Sequence, residues 1–126
     1  MTQTIFITGA TSGFGLVTAK RFAREGWKVA ATYSRDEMVS ALRDVPNVSA
    51  YKLDVANEDQ VAEVAARVMA ELGLPDVIVN NAGYCLVGSL AGSLMEQIRR
   101  HFDVNVFGLI AVTKAFLTHL RHAGAA

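Results

Sequence analysis

An apolar pentapeptide, Thr4-Ile5-Phe6-Ile7-Thr8, runs directly into the glycine-rich stretch Gly9-Ala10-Thr11-Ser12-Gly13-Phe14-Gly15. From Gly13 the apolar residues Leu16, Val17, Ala19, Phe22 and Ala23 recur at helical spacing up to Gly26. This order predicts a buried strand, a tight turn and a helix. The same unit then repeats. Val29 to Tyr33 predicts a second strand, followed by a short helix from about Asp36 to Arg43 that Pro46 closes. Val48 to Leu53 predicts a third strand. Asn57 and Gln60 form a capping pair ahead of Val61, Val64, Ala65, Val68, Met69 and Leu72, which share one helical face, and Gly73 and Pro75 stop that helix. Val77-Ile78-Val79 is apolar without alternation, as expected of a strand covered by helices on both faces.

After Asn80-Asn81-Ala82-Gly83 the chain reads as a loop and then one long helix, about Met95 to Arg121, open to a break near His101. Its apolar stripe is Phe102, Val106, Leu109, Ile110, Thr113, Phe116, Leu117 and Leu120. Strands alternating with helices predict a doubly wound parallel α/β sheet. Right-handed crossovers put the first two helices on one face and the next ones on the other, with strand order 3-2-1-4. The length of 126 residues predicts one domain, 1–126. The tail His122-Ala123-Gly124-Ala125-Ala126 reads as a helix stop leading toward a fifth strand, so the expected domain is incomplete, truncated before that strand.

Twelve basic residues balance twelve acidic ones, which offers none of the one-sided basic excess of a nucleic-acid binder. Met1 to Ala19 and Val77 to Met95 run uncharged for about the length of a bilayer span. The first breaks at its glycines and lacks a basic leader, and the second carries Asn80, Asn81, Gly83, Gly88, Ser89, Gly92 and Ser93. No membrane association is expected. Cys85 has no internal disulfide partner, which fits a reducing compartment and a cytoplasmic location. It reads better as a small buried thiol than as a nucleophile. His119 and His122 lie one helical turn apart without an evident third ligand, so no metal site is expected. Met38, Met69 and Met95 read as core or interface filler.

The chemistry gathers at the expected strand ends. Gly9, Gly13 and Gly15 lie where absent side chains let backbone approach a pyrophosphate and where a helix N-terminus offers free N–H groups; Thr11 and Ser12 add hydroxyls. The context of strand before and helix after is met, although glycines at such a turn also have a purely structural reading. The spacing, Gly-x-x-x-Gly-x-Gly, differs from the common dinucleotide fingerprint, but its place between strand and helix points to a Rossmann-type dinucleotide site. The second strand ends in Tyr33-Ser34-Arg35 with no carboxylate for a ribose 2′-hydroxyl, while Arg35 suits a 2′-phosphate; NADP(H) is therefore favoured over NAD(H). Arg35 alternatively reads as a solvated loop charge, with Asp36 capping the next helix. Asp54 ends the third strand and suits the adenine amino group, or simply forms a turn. Asn80-Asn81-Ala82-Gly83 follows the fourth strand, where ligands of open α/β sheets bind. Asn105, flanked by Val104 and Val106 on an apolar helix, must find partners, and one reading is that it ties helix to strand.

Four features together resemble the short-chain dehydrogenase/reductase family: Thr8-Gly9-Ala10-Thr11-Ser12-Gly13-Phe14-Gly15, Asp54-Val55, Asn80-Asn81-Ala82-Gly83 and Asp103-Val104-Asn105-Val106. The resemblance spans the whole chain and is to the N-terminal portion of the family. It implies hydride transfer between a nicotinamide and a carbonyl or alcohol. The glycines, Thr11, Ser12 and Phe14 would hold the phosphates, Asp54 with Val55 the adenine, and Asn81, Ala82 and Gly83 the ribose region; Asn105 would match the catalytic asparagine. It also implies a homo-oligomer paired through the last helix.

The family pattern continues with a serine and then a tyrosine with a lysine four residues on. Here Tyr33, Tyr51 and Tyr84 are followed four residues later by Glu37, Val55 and Gly88. A lysine near the phenol lowers its pKa and makes it a workable acid/base. The isolated chain is therefore expected to bind the cofactor without turnover. The alternative is a non-catalytic nucleotide-binding or subunit-interaction module.

Overall fold

The structure is a computed structural model and describes residues 2–122 and Gly124. Four parallel strands, β1 (Thr4–Ile7), β2 (Lys28–Tyr33), β3 (Val48–Lys52) and β4 (Val77–Val79), form one sheet in the order β3-β2-β1-β4. The expected strand order and the Rossmann-like architecture are therefore present. Helix α1 (Gly13–Arg24) joins β1 to β2, and α2 (Glu58–Leu72) joins β3 to β4. Between β2 and β3 the short helix is a 3₁₀ segment, Asp36–Ala41, ending two residues sooner than expected.

Two apolar layers sandwich the sheet because strand side chains alternate between its faces. Ile5, Ile7, Val29 and Ala31 meet Ala19 and Ala23 of α1 together with Leu42. On the other face Phe6, Ala30 and Tyr51 meet Val61, Val64, Ala65 and Val68 of α2 and, from the last helical stretch, Val112 and Phe116. This is the division of helices between faces that right-handed crossovers require. The N-terminus of α2 is capped as the sequence indicates, Asn57 Oδ1 accepting from the Gln60 N–H at 3.1 Å. The Gln60 side chain does not return the bond; it accepts from the Asp54 N–H at 2.8 Å and so fixes the end of β3.

Three expectations need correction. Val77 is exposed and Ile78 and Val79 are half-buried, because β4 stands at the sheet edge rather than between covered neighbours. Val17 of α1 is also exposed, whereas Ala19 and Ala23 are buried against the sheet and Leu16 and Phe22 pack beside them.

The largest difference is in the last helical stretch. α3 (Met95–Phe102) passes into a π-helical segment, Asp103–Gly108, and then into α4 (Leu109–His122), so His101 precedes a change of winding and not a break. The buried residues are Val104, Gly108, Val112 and Phe116. Of the expected stripe only Phe116 and Leu120 reach the core; Phe102, Val106, Leu109, Ile110 and Leu117 are exposed. The wider winding of a π turn moves residues beyond it off a 3.6-residue phase. Met95–His122 is long and apolar enough to cross a membrane by length and composition; here one face packs on α2 and the sheet. Residues 123, 125 and 126 of the expected stop and tail lie outside the described residues.

Candidate dinucleotide cleft

The strand ends and the turns after them enclose a cleft of about 520 Å³, within the roughly 300–1,000 Å³ typical of small-molecule sites. It brings together Gly9, Thr11, Ser12, Gly13, Phe14, Arg35, Asp54, Val55, Asn81, Ala82 and Gly83. Gly15 and Asn105 stand behind this lining and shape it. The cleft occupies the carboxyl ends of the parallel strands, with β1 at the switch point between β2 and β4.

The glycine turn is built by close approach. Gly9 has φ +62°, and a Cβ there would stand 2.9 Å from the Cα of Ala82, so the turn after β1 and the turn after β4 touch backbone to backbone. A Cβ on Gly15 would collide with the Gly9 carbonyl oxygen and the Asn81 side chain. Gly13 differs. Its φ is +53°, but nothing lies within 4 Å of a Cβ built there, so the missing side chain leaves open space in the cleft.

Thr8 and Asn81 lock these turns together. The buried Thr8 Oγ1 accepts from the N–H groups of Asn81 (3.0 Å) and Ala82 (2.9 Å), while Asn81 Nδ2 donates to the carbonyls of Thr8 (3.2 Å) and Gly9 (2.9 Å). Thr32 closes the other side, accepting at its hydroxyl from the Gly9 N–H at 3.1 Å and at its carbonyl from the Ala10 N–H at 2.9 Å. Asn80 bonds outward, donating to Thr113 Oγ1 of α4 at 3.0 Å. The two amides expected beside a ligand thus each hold one part of the frame.

The N-terminus of α1 faces this turn without internal competition. Ser12 is the N-cap but makes no side-chain capping bond, and no acidic residue sits in the first turn. Early N–H groups of a helix have no intrahelical partner and carry partial positive charge. Beside the open volume at Gly13 they are free to receive an anionic group.

Beyond the end of β2, Arg35 is well exposed, its guanidinium in a loose 3.6 Å contact with Glu37. Asp36 does not cap the 3₁₀ segment; its carboxylate pairs with Lys52 Nζ at 2.9 Å, an attraction that raises the Lys52 pKa. Asp54 accepts from the Ala56 N–H at 3.0 Å and from Arg100 Nη2, which stands 3.2 Å from both carboxylate oxygens. Arg100, Thr8 and Thr32 belong to the site only through the fold. The threonines carried a weak signal as hydroxyls at strand ends, whereas nothing local singles out Arg100.

Asn105 lies in the π segment and ties it to the loop after β4. Its Oδ1 accepts from the Tyr84 N–H at 2.9 Å and its Nδ2 donates to the Tyr84 carbonyl at 2.8 Å. A Cβ on Gly83 would collide with the same Oδ1. The tie is therefore between helix and loop. Cys85 is exposed, contrary to the buried thiol expected, because residues 80–94 run outside the sheet without regular structure. Met95 is exposed, Met69 packs against the core and Met38 lines the cleft. Among the described residues no three His, Cys, Asp or Glu side chains gather as metal ligands.

Comparison with known proteins gives a consistent result. A family described as short chain dehydrogenase matches residues 3–126. An NADP-dependent 3-hydroxy acid dehydrogenase of Salmonella typhi is 40% identical over 116 residues, which cover 90% of this chain and 47% of the relative. The structure of serine dehydrogenase from Escherichia coli superposes with a TM-score of 0.89 at 33% identity, covering 98% of this chain and 59% of that one. That of an actinorhodin polyketide ketoreductase variant with NADPH superposes with a TM-score of 0.93 at 28% identity, covering 98% and 50%. The chain spans 36–49% of the length of four curated relatives that it matches.

Proposed function

This chain belongs to the short-chain dehydrogenase/reductase family, and from that premise we propose that it provides the NADP(H)-binding half of an oxidoreductase acting on a carbonyl or alcohol. The observation that carries the reading is the uncapped N-terminus of α1 beside the open volume over Gly13. In this proposal the N–H groups from Gly13 to Gly15, with the hydroxyls of Thr11 and Ser12, hold the pyrophosphate, and Phe14 borders it. Asp54 and Val55 receive the adenine, Asn81, Ala82 and Gly83 the ribose, and Arg35 the 2′-phosphate. Preference for NADP(H) rests on Arg35 and the absence of a carboxylate at the end of β2; the NADP-dependent relative and the NADPH-bound neighbour support it.

The nicotinamide, once bound, donates or accepts the hydride. Asn105 is the position that matches the family's catalytic asparagine, and its amide holds the Tyr84 backbone against the helix. No tyrosine among these 126 residues has a lysine four positions on. By themselves they are proposed to bind NADPH without reducing a carbonyl. Self-association through α4 and a cytoplasmic location belong to the same proposal. The first rests on the exposed Leu109, Ile110 and Leu117, the second on a lone cysteine without an internal disulfide partner. Calorimetric titration with NADPH and NADH tests the binding claim.

A further inference from the structure

Three charged side chains line the cleft: Arg35, Asp54 and Arg100. Arg100 lies 46 residues from Asp54 in the chain, on α3, and meets it only in the folded protein. The Asp54 backbone is pinned by Gln60, and its Oδ1 is shared between the Ala56 N–H and Arg100. Oδ2 meets Arg100 alone and keeps acceptor capacity for one more donor.

The pair is half-exposed, with side-chain exposures of 50% for Arg100 and 38% for Asp54, so it contributes little to folding. Its consequence is directional. A carboxylate held on two sides presents its free lone pair in one orientation, whereas an unpaired one turns freely and loses that orientation on binding. Resting on the dinucleotide reading above, the geometry points to Arg100 as a positioning residue that acts through Asp54, fixing the carboxylate to accept a hydrogen bond from the adenine amino group. That amino group is common to both cofactors. The effect of Arg100 is therefore independent of the 2′-phosphate.

The test is a double-mutant cycle read by calorimetric titration of the 126-residue chain with NADPH and with NADH. Arg100→Ala should weaken both cofactors alike, by about threefold to tenfold, the value of one oriented hydrogen bond. Arg100→Lys should recover most of the loss, because a single nitrogen makes both contacts. In an Asp54→Asn background, Arg100→Ala should change neither affinity further. Thermal unfolding of each variant identifies any that fail to fold, and Arg100→Gln serves where Arg100→Ala does not. A loss specific to NADPH that persists in the Asp54→Asn background overturns the proposal and makes Arg100 a direct phosphate contact. Unchanged affinity in Arg100→Ala also overturns it and leaves a surface ion pair. Absence of dinucleotide binding by the unmodified chain removes the underlying reading, a result distinct from both.

Discussion

Asn105 and Tyr84 are joined at two points, the side-chain amide of one matching the backbone N–H and C=O of the other at 2.9 and 2.8 Å. This is the pattern by which a strand grips its neighbour, made by one side chain. It binds a loop without regular structure to the helical segment with π winding. Asn105→Ala leaves two backbone groups to water and should lower stability by about 1–3 kcal/mol, the usual cost of losing such bonds. Asn105→Asp keeps the acceptor but sets a carboxylate oxygen against the Tyr84 carbonyl, and should destabilise at least as much at neutral pH. Thermal denaturation checks both, and variants as stable as the parent contradict the role.

Gly9 and Gly13 should respond differently to alanine. At Gly9 the new methyl meets the Ala82 backbone at 2.9 Å under a positive φ, so Gly9→Ala should unfold or grossly destabilise the chain. Gly13→Ala meets nothing and should cost only about 1 kcal/mol for its backbone conformation. Gly13 lines the cleft, however, and a methyl there should weaken NADPH by more than tenfold, about 1.4 kcal/mol. Stability and affinity measured on the same preparations separate the two effects. NADPH affinity unchanged in Gly13→Ala would mean that the open volume receives no part of the ligand.

The contrast shows which parts of this molecule local sequence could reveal. The α1 turn and the Asn57 cap were legible because each depends on residues a few positions apart, and the strand order followed from the alternation of strands and helices with right-handed crossovers. The packing of α4 was not. Val104, Gly108, Val112 and Phe116 face inward while the equally apolar Leu109, Ile110 and Leu117 face outward, so hydrophobicity alone could not choose the face, and the π winding altered the phase. Arg100 and Thr8 act through partners 46 and more than 70 residues away. Their roles exist only after folding.

Tyr51 predicts an alkaline limit to stability. Burial chiefly, and then its hydrogen bond to Glu71 and the charge of that carboxylate, raise its pKa well above the ordinary 10.0. The folded protein therefore retains the phenolic proton at pH values where the unfolded chain has released it. A raised folded-state pKa gives stability that is intact below pH 10 and is lost as pH climbs toward the folded value. Tyr51→Phe removes this titration, so its stability should fall less steeply above about pH 10. Denaturant unfolding at pH 8 and pH 11 measures the difference, and identical slopes would show that Tyr51 is not responsible.

Light scattering at micromolar concentration should find dimers or larger species, since Leu109, Ile110 and Leu117 expose apolar surface on α4 and β4 forms a sheet edge. Ile110→Lys places a charge in that surface and should shift the population toward monomer. A monomer in the parent chain contradicts the proposed pairing.

The central claim is most directly tested by titrating the chain and its Arg35→Ala variant with NADPH and NADH in a calorimeter. The parent should bind NADPH more tightly by about ten- to a hundredfold, the scale of a charge-assisted contact to the 2′-phosphate, and the variant should lose that preference while retaining NADH. Equal affinities in the parent, or a preference that survives in Arg35→Ala, would contradict the assignment of Arg35 and the NADP(H) reading with it.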